Sequence, residues 1–331
     1  MTNRRKFIVS IAGSVVGAPL AVTAQHRDQP RRLGIIMAAG KTDEYVAAVA
    51  AFEQALQSLG WRKDDNLRVD ERWSAGSPEN ARLAATEIVA LRPDVVLAQS
   101  TTVVESLLLA TRTVPIVFLH VADPVAAGIV TNLARPGASV TGITNIEPSI
   151  GGKWLQLLKE VAPDLRRSAM LVNPDSYPDR GALFLNPFEA AARSLNVMPV
   201  KGEVRDLAGI EAVMASLAGE PRGGVVVIPD AFFAAHSKEI VVLAERFRLP
   251  AVYPYRYYVA AGGLLSYGVN NVDLFRQAAP YVDRLLRGAK PADLPIQQPT
   301  RFEVVINLNT ARALGLKVPS SLLLRADEVI Q

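Results

Sequence analysis

Leu33-Gly34-Ile35-Ile36-Met37 is an apolar run of strand length, and Ala38-Ala39-Gly40-Lys41 after it is a loop of small residues. Beyond the loop, Tyr45, Val49, Phe52, Leu56 and Leu59 recur at spacings of four and three until Gly60. Those spacings draw one apolar stripe along a helix, and glycine readily closes a helix. The unit therefore reads as buried strand, loop and amphipathic helix, the repeat of a parallel sheet covered by helices on both faces.

The same cycle recurs along the chain. Leu67 to Trp73 reads as a strand, Pro78 to Leu91 as a helix, Asp94 to Gln99 as a strand, Val103 to Ala110 as a helix and Ile116 to Leu119 as a strand. A turn-rich passage, Ala134 to Gly142, precedes a helix with Trp154, Leu158 and Val161 on one face. A crossing between two lobes is expected near Gly142 to Glu147. A second set then follows: a strand at Ala169 to Val172, helices near 182–195 and 207–218, and the run Val225 to Ile228. Gly262-Gly263 and the run Leu264 to Tyr267 lead into a helix from Val272 to Arg287 with Phe275, Ala279, Val282 and Leu286 on one side. A chain of 331 residues also suits two domains better than one. The expected fold class is α/β, two doubly wound parallel-sheet lobes.

In such sheets ligands gather at the carboxyl ends of the strands, where helix N-termini and free loop amides converge. The loops to inspect are Ala38 to Lys41, Ser100 to Thr102, His120 to Asp123, Asn173 to Tyr177, Asp230 to Phe232 and Tyr253 to Tyr258. Ser100, Thr101 and Thr102 sit between a strand and a helix, so their hydroxyls and the first helical amides can hold a carboxylate, or simply cap the helix. Asp123, before Pro124, can cap a helical stretch or face a ligand's ammonium group, and Asp230 poses the same pair of readings. Tyr253, Tyr255, Tyr257 and Tyr258 crowd into six positions, and an aromatic wall grips a planar or apolar solute. Some of those rings must be core. Tyr177 and Tyr267 complete the candidate ligand-binding set.

Catalytic signatures are missing: there is no Gly-x-Ser-x-Gly elbow, no Gly-x-Gly-x-x-Gly after the first strand and no phosphate-binding Walker loop. His26, His120 and His236 lack the paired spacing of a zinc helix, so no metal or other cofactor is expected. His120, at a strand end, reads equally as cleft lining or as satisfied core. An enzyme assembled from scattered residues is the least favoured reading.

The formal charge of +4 owes three units to Arg4, Arg5 and Lys6, which leaves 33 basic against 32 acidic residues beyond the leader. That balance argues against nucleic acid as a partner. Arg4-Arg5-Lys6 precedes an apolar stretch from Ile8 to Leu20 and the small-residue end Ala21-Val22-Thr23-Ala24, the layout of a cleavable export signal over residues 1–24. The stretch contains Gly13, Gly17 and Pro19 and is shorter than the about 20 residues a membrane span needs. The paired arginines before Phe7 suit a twin-arginine leader, with Asn3 in place of the usual Ser or Thr; Sec export is the alternative. With no cysteine, the exported chain has neither an acylated Cys anchor nor disulfides. The expected location is the periplasm.

Several phrases between the predicted elements resemble the ABC transporter substrate-binding protein family, the exported proteins related to tryptophan and tyrosine binders. They include Thr113-Val114-Pro115-Ile116-Val117-Phe118, Asp123-Pro124-Val125 with Gly128, Leu133-Ala134-Arg135-Pro136-Gly137 running to Thr141-Gly142, and Gly151-Gly152-Lys153-Trp154. The carboxyl end carries more: Gly288-Ala289-Lys290-Pro291-Ala292-Asp293-Leu294-Pro295, Pro299-Thr300-Arg301-Phe302-Glu303 and Arg325-Ala326-Asp327-Glu328-Val329-Ile330. Two departures are Ala126, where the family usually has Gly, and Arg62-Lys63-Asp64-Asp65-Asn66 in place of a Gly-containing turn.

The resemblance implies a type I periplasmic binding fold: lobes joined by three crossings, near Gly142, Tyr253 and Arg301, that close on a solute. It divides the chain into residues 25–145 with 262–298 as lobe 1, and 146–261 with 299–331 as lobe 2. It further implies the solute-binding component of an ABC importer, a monomer whose partners are a small-molecule solute and an inner-membrane ABC permease. The solute class expected from the loops is an amino acid or an aromatic or carboxylate compound. An exported sensor subunit of the same fold is the alternative.

Overall fold

The computed structural model describes residues 30–331 except 138, 148, 178, 220 and 221. The export signal read over 1–24, and His26, lie outside the described residues. The expected repeat is present from the first strand. β1 (Arg31–Met37), α1 (Asp43–Ser58), β2 (Leu67–Trp73), α2 (Pro78–Ala90), β3 (Val95–Gln99), α3 (Thr101–Ala110), β4 (Ile116–Leu119) and β5 (Val140–Ile143) build a five-stranded sheet. Its order is β2-β1-β3-β4-β5 and every pairing is parallel.

The chain then continues through α4 (Ile150–Val161), β6 (Arg167–Val172), α5 (Ala182–Ser194), β7 (Met198–Glu203), α6 (Leu207–Ala218), β8 (Gly223–Val227), α7 (Ala231–Ala235), α8 (Ser237–Arg246), β9 (Ala251–Tyr253) and α9 (Arg256–Ala260). The last elements are β10 (Leu265–Gly268), α10 (Asn271–Leu286), β11 (Glu303–Asn307), α11 (Leu308–Ala313), α12 (Ser320–Leu323) and β12 (Glu328–Ile330). The second sheet runs β12-β11-β10-β9-β8-β6-β7. Its only antiparallel pairing among the described residues is β10 with β11.

The helices form where apolar residues line one side. α1 buries Tyr45, Ala48, Val49, Phe52 and Leu56 after an N-cap in which Thr42 accepts from the Tyr45 amide. Leu59, expected on that stripe, instead follows the last helical turn and is 36% exposed. α2 and α3 cover one face of the first sheet through Ala85, Ile88, Val104 and Leu107 against Ile36, Val96 and Phe118. The other face meets α1 and α10 and joins a core that continues into the second sheet.

The segments between the sheets are short. Residues 144–147 lead from β5 to α4, 269–270 from β10 to α10, and 298–302 from the first sheet's edge to β11. Gln297 bridges in parallel to Ile143, and its carbonyl accepts from the Thr144 amide at 2.9 Å, so the third segment departs beside the first. Two expectations change here. The strand Leu265–Gly268 pairs with β9 and β11 of the second sheet, whereas the family resemblance puts all of residues 262–298 in the first lobe; only the helix that follows packs on α1. The second crossing accordingly lies at 269–270, not at Tyr253, which is a mid-sheet strand residue. A short apolar run does not state which sheet it pairs with, and that was the missing information.

Candidate functional site

Strand order reverses once in each sheet: β2-β1-β3 in the first and β7-β6-β8 in the second. A reversal sends neighbouring connections to opposite faces and opens a crevice at the strands' carboxyl ends. Both crevices line one narrow cavity, part of it open to solvent. The first sheet supplies Ala38 and Ala39 after β1, Ser100 to Thr102 after β3, His120 after β4 and Asn145 after β5. The second supplies Ser176 and Tyr177 after β6, Asp230 and Ala231 after β8 and Tyr255 after β9.

On the first wall, Gln99 is buried, and its Oε1 accepts from the amides of Ala38 (3.0 Å) and Ala39 (3.1 Å). That fixes the amide orientation, so Gln99 Nε2 donates to His120 Nδ1 at 3.3 Å. Nδ1 is thereby the acceptor, and Nε2, 2.9 Å from Asn271 Oδ1, carries the proton. Burial lowers the His120 pKa to about 4, with the Asn271 hydrogen bond opposing, so the ring is neutral near pH 7. Ser100 and His120 end neighbouring strands with φ of 86° and 56°, a left-handed backbone that non-glycine residues seldom adopt and that clusters at binding sites. Ser100 also caps α3, its side chain accepting from the Val103 amide. Thr101 and Thr102 thus open a ten-residue helix at the cavity wall, with the positive end of its dipole toward the space.

On the opposite wall, Asp230 is 9% exposed, and its Oδ1 accepts from the amides of Phe232 (2.7 Å) and Phe233 (3.1 Å). Burial pushes its carboxyl above the usual range, while the Ser176 hydroxyl and those two amides pull the other way. Tyr177 donates its hydroxyl proton to the Pro229 carbonyl and meets Phe184 edge-on. Tyr255 is buried, accepts from Asn145 Nδ2 at 2.8 Å and stands edge-on to His120. Among the described lining residues there is no Lys or Arg, and Asp230 is the only carboxylate.

The structure brings together Ser100, Thr101, Thr102, Tyr177, Asp230 and Tyr255 of the expected set. It does not bring the other three. Asp123 lies outside the cavity lining, and no helix follows it; its Oδ1 accepts from the amides of Val125 (3.0 Å) and Ala126 (2.9 Å) within a turn. Tyr253 is 1% exposed and stacked on Tyr258 in the core. Tyr267 stacks on Phe302, away from the cavity. Unforeseen members are Tyr45, Gln99 and Asn145. Gln99 carried a signal, a polar residue closing a buried strand, whereas the partners of Tyr45 and Asn145 come from remote segments.

A family model described as ABC transporter substrate binding protein matches residues 36–330. The chain belongs to that family. As a member it is a solute-binding protein of an ABC transporter and not an enzyme. A tyrosine-binding protein of Clostridioides difficile (strain R20291) is 25% identical over 271 residues, 82% of this chain and 77% of the relative. The crystal structure of a conserved domain protein from Vibrio cholerae superimposes with a TM-score of 0.83 at 25% identity, covering 91% of this chain and all (100%) of the other. An ABC domain from Streptococcus pneumonia in complex with L-Trp has the same fold, with a TM-score of 0.83, 23% identity and coverage of 91% and 100%.

Proposed function

We propose that this ABC transporter substrate-binding protein works in the periplasm as the capture component of an importer, delivering an amino acid or a related aromatic carboxylate to an inner-membrane permease. The first lobe comprises residues 30–145 with 271–298, and the second comprises 149–268 with 303–331. The observation that carries the solute class is the opposition of charge-reading groups across one cavity. The Ser100 to Thr102 turn, with its hydroxyls and helix-start amides, suits a carboxylate, and Asp230 suits an ammonium group. Tyr45, Tyr177 and Tyr255 provide the aromatic surface between them.

With no cationic side chain on the walls, a dicarboxylate would leave one charge unmatched, whereas a zwitterion is balanced. The likeness to a tyrosine-binding protein supports the same class. The leader at 1–24 supports export, and a small solute suits a monomer. The test is thermal unfolding of the purified protein with L-tyrosine, L-tryptophan and phenylacetate. A ligand at about 100 times its Kd adds about 2.7 kcal/mol to stability, a shift of several degrees. An unchanged melting curve with all three compounds would refute the solute class.

A further inference from the structure

The two sheets also meet away from the crossings. β2 is the edge strand opposite β5, and after it Ser74 and Gly76 are pinned to the site's first wall: the Ser74 amide donates to the Met37 carbonyl at 2.9 Å and the Gly76 amide to the Ala38 carbonyl at 2.7 Å. Gly76 has φ +79°, and a methyl group built on it would lie 3.2 Å from the Ala231 carbonyl oxygen and 3.5 Å from Ala235 Cβ. Ala231 and Ala235 belong to α7, the helix capped by Asp230. The loop tied to Ala38 on one wall therefore touches the helix fixed by Asp230 on the other, at the edge of the cleft far from the hinge.

We propose that Gly76 and the Ala231–Ala235 face of α7 form the closing contact at the cleft mouth, a stop whose small residues determine how tightly the lobes hold a solute. The inference rests on the two-lobed solute-binding reading. A side chain at residue 76 would meet both a left-handed φ and the α7 backbone, so glycine satisfies two requirements there. Ala235 is half-buried on a helix, and enlarging it wedges the mouth without straining its own backbone. Holding the mouth open separates Asp230 from the Ser100 to Thr102 turn, so a solute can bind one wall but not both.

The test uses the absence of cysteine from the chain. Gly76→Cys with Ala235→Cys places two Cβ atoms about 3.5 Å apart, within the range a disulfide accepts. Mild oxidation of the full exported chain is expected to consume both thiols in one intramolecular disulfide, read by thiol titration and intact mass without any solute. Thiols that remain free would overturn the contact. Ala235→Trp is expected to weaken L-tyrosine binding at least tenfold while the ligand-free melting temperature is unchanged; affinity within twofold of wild type would overturn the stop. If wild-type protein takes up no L-tyrosine, the solute class fails, and the cysteine pair still decides the contact.

Discussion

Asp230 combines two tasks that a single substitution separates. One oxygen caps α7 through the Phe232 and Phe233 amides, and the charge faces the cavity. Asparagine caps a helix about as well as aspartate, so Asp230→Asn should leave stability nearly unchanged while removing the charge. Loss of a charge-assisted hydrogen bond, about 1.5–3 kcal/mol, predicts L-tyrosine binding weaker by roughly tenfold to a hundredfold in calorimetry. Because burial raises the Asp230 carboxyl pKa, wild-type affinity should decline as pH falls through that raised value, before an ordinary aspartate would protonate.

His120 has a different pH signature. Its folded pKa of about 4 lies below the ordinary 6.5, so between those values the unfolded chain binds a proton that the folded chain does not. Stability should therefore rise with pH across that window and be lost as pH falls from about 6.5 toward 4. His120 is partly exposed at the cavity, which makes the effect on the order of 2 kcal/mol. Denaturant unfolding at pH 7 and pH 5 tests this: His120→Asn, which tolerates the left-handed backbone, should lose less stability than wild type. Equal losses would contradict the neutral-ring assignment.

At the scale of elements, close packing rather than propensity explains the glycines of α4. Alanine is the better helix former by about 1 kcal/mol, yet a methyl on Gly151 would lie 2.1 Å from the Phe184 carbonyl oxygen of α5. Gly151→Ala should therefore lower stability by about 1–3 kcal/mol in chemical denaturation, opposite to the propensity effect. A stabilised variant would show that the helices separate freely.

The elements were the most legible part of the sequence. Ile116–Leu119 and Leu207–Ala218 stand where the apolar pattern placed them, because buried strands and one-sided helices write their burial locally. β7, with Met198 62% exposed at the sheet edge, left no such pattern. The site was legible to the extent that strand ends line it: the Ser100 turn, Tyr177 and Asp230 follow from chain order alone. Tyr253 misled because a tyrosine beside other tyrosines looks like a wall, whereas its ring stacks inward on Tyr258. Asp123 misled because a closed turn and a ligand contact begin from the same Asp-Pro pattern.

At the scale of the molecule, three short crossings and a core shared between the sheets join two crevices into one cavity. Asn271, the first residue of α10 after the second crossing, accepts a hydrogen bond from His120 Nε2, so the first cavity wall is tied to the segment that a closing motion would flex. A solute can favour closure only through contacts it makes better in the closed state, and the proposed contacts, the Ser100 to Thr102 turn and Asp230, lie on opposite walls. Capture of a single solute between the walls is the central claim. Native mass spectrometry of the purified protein after incubation with an equimolar amino-acid mixture tests it most directly. One bound molecule of one mass per chain, lost in Asp230→Asn, is the predicted result; no retained solute, or equal retention in that variant, would contradict it.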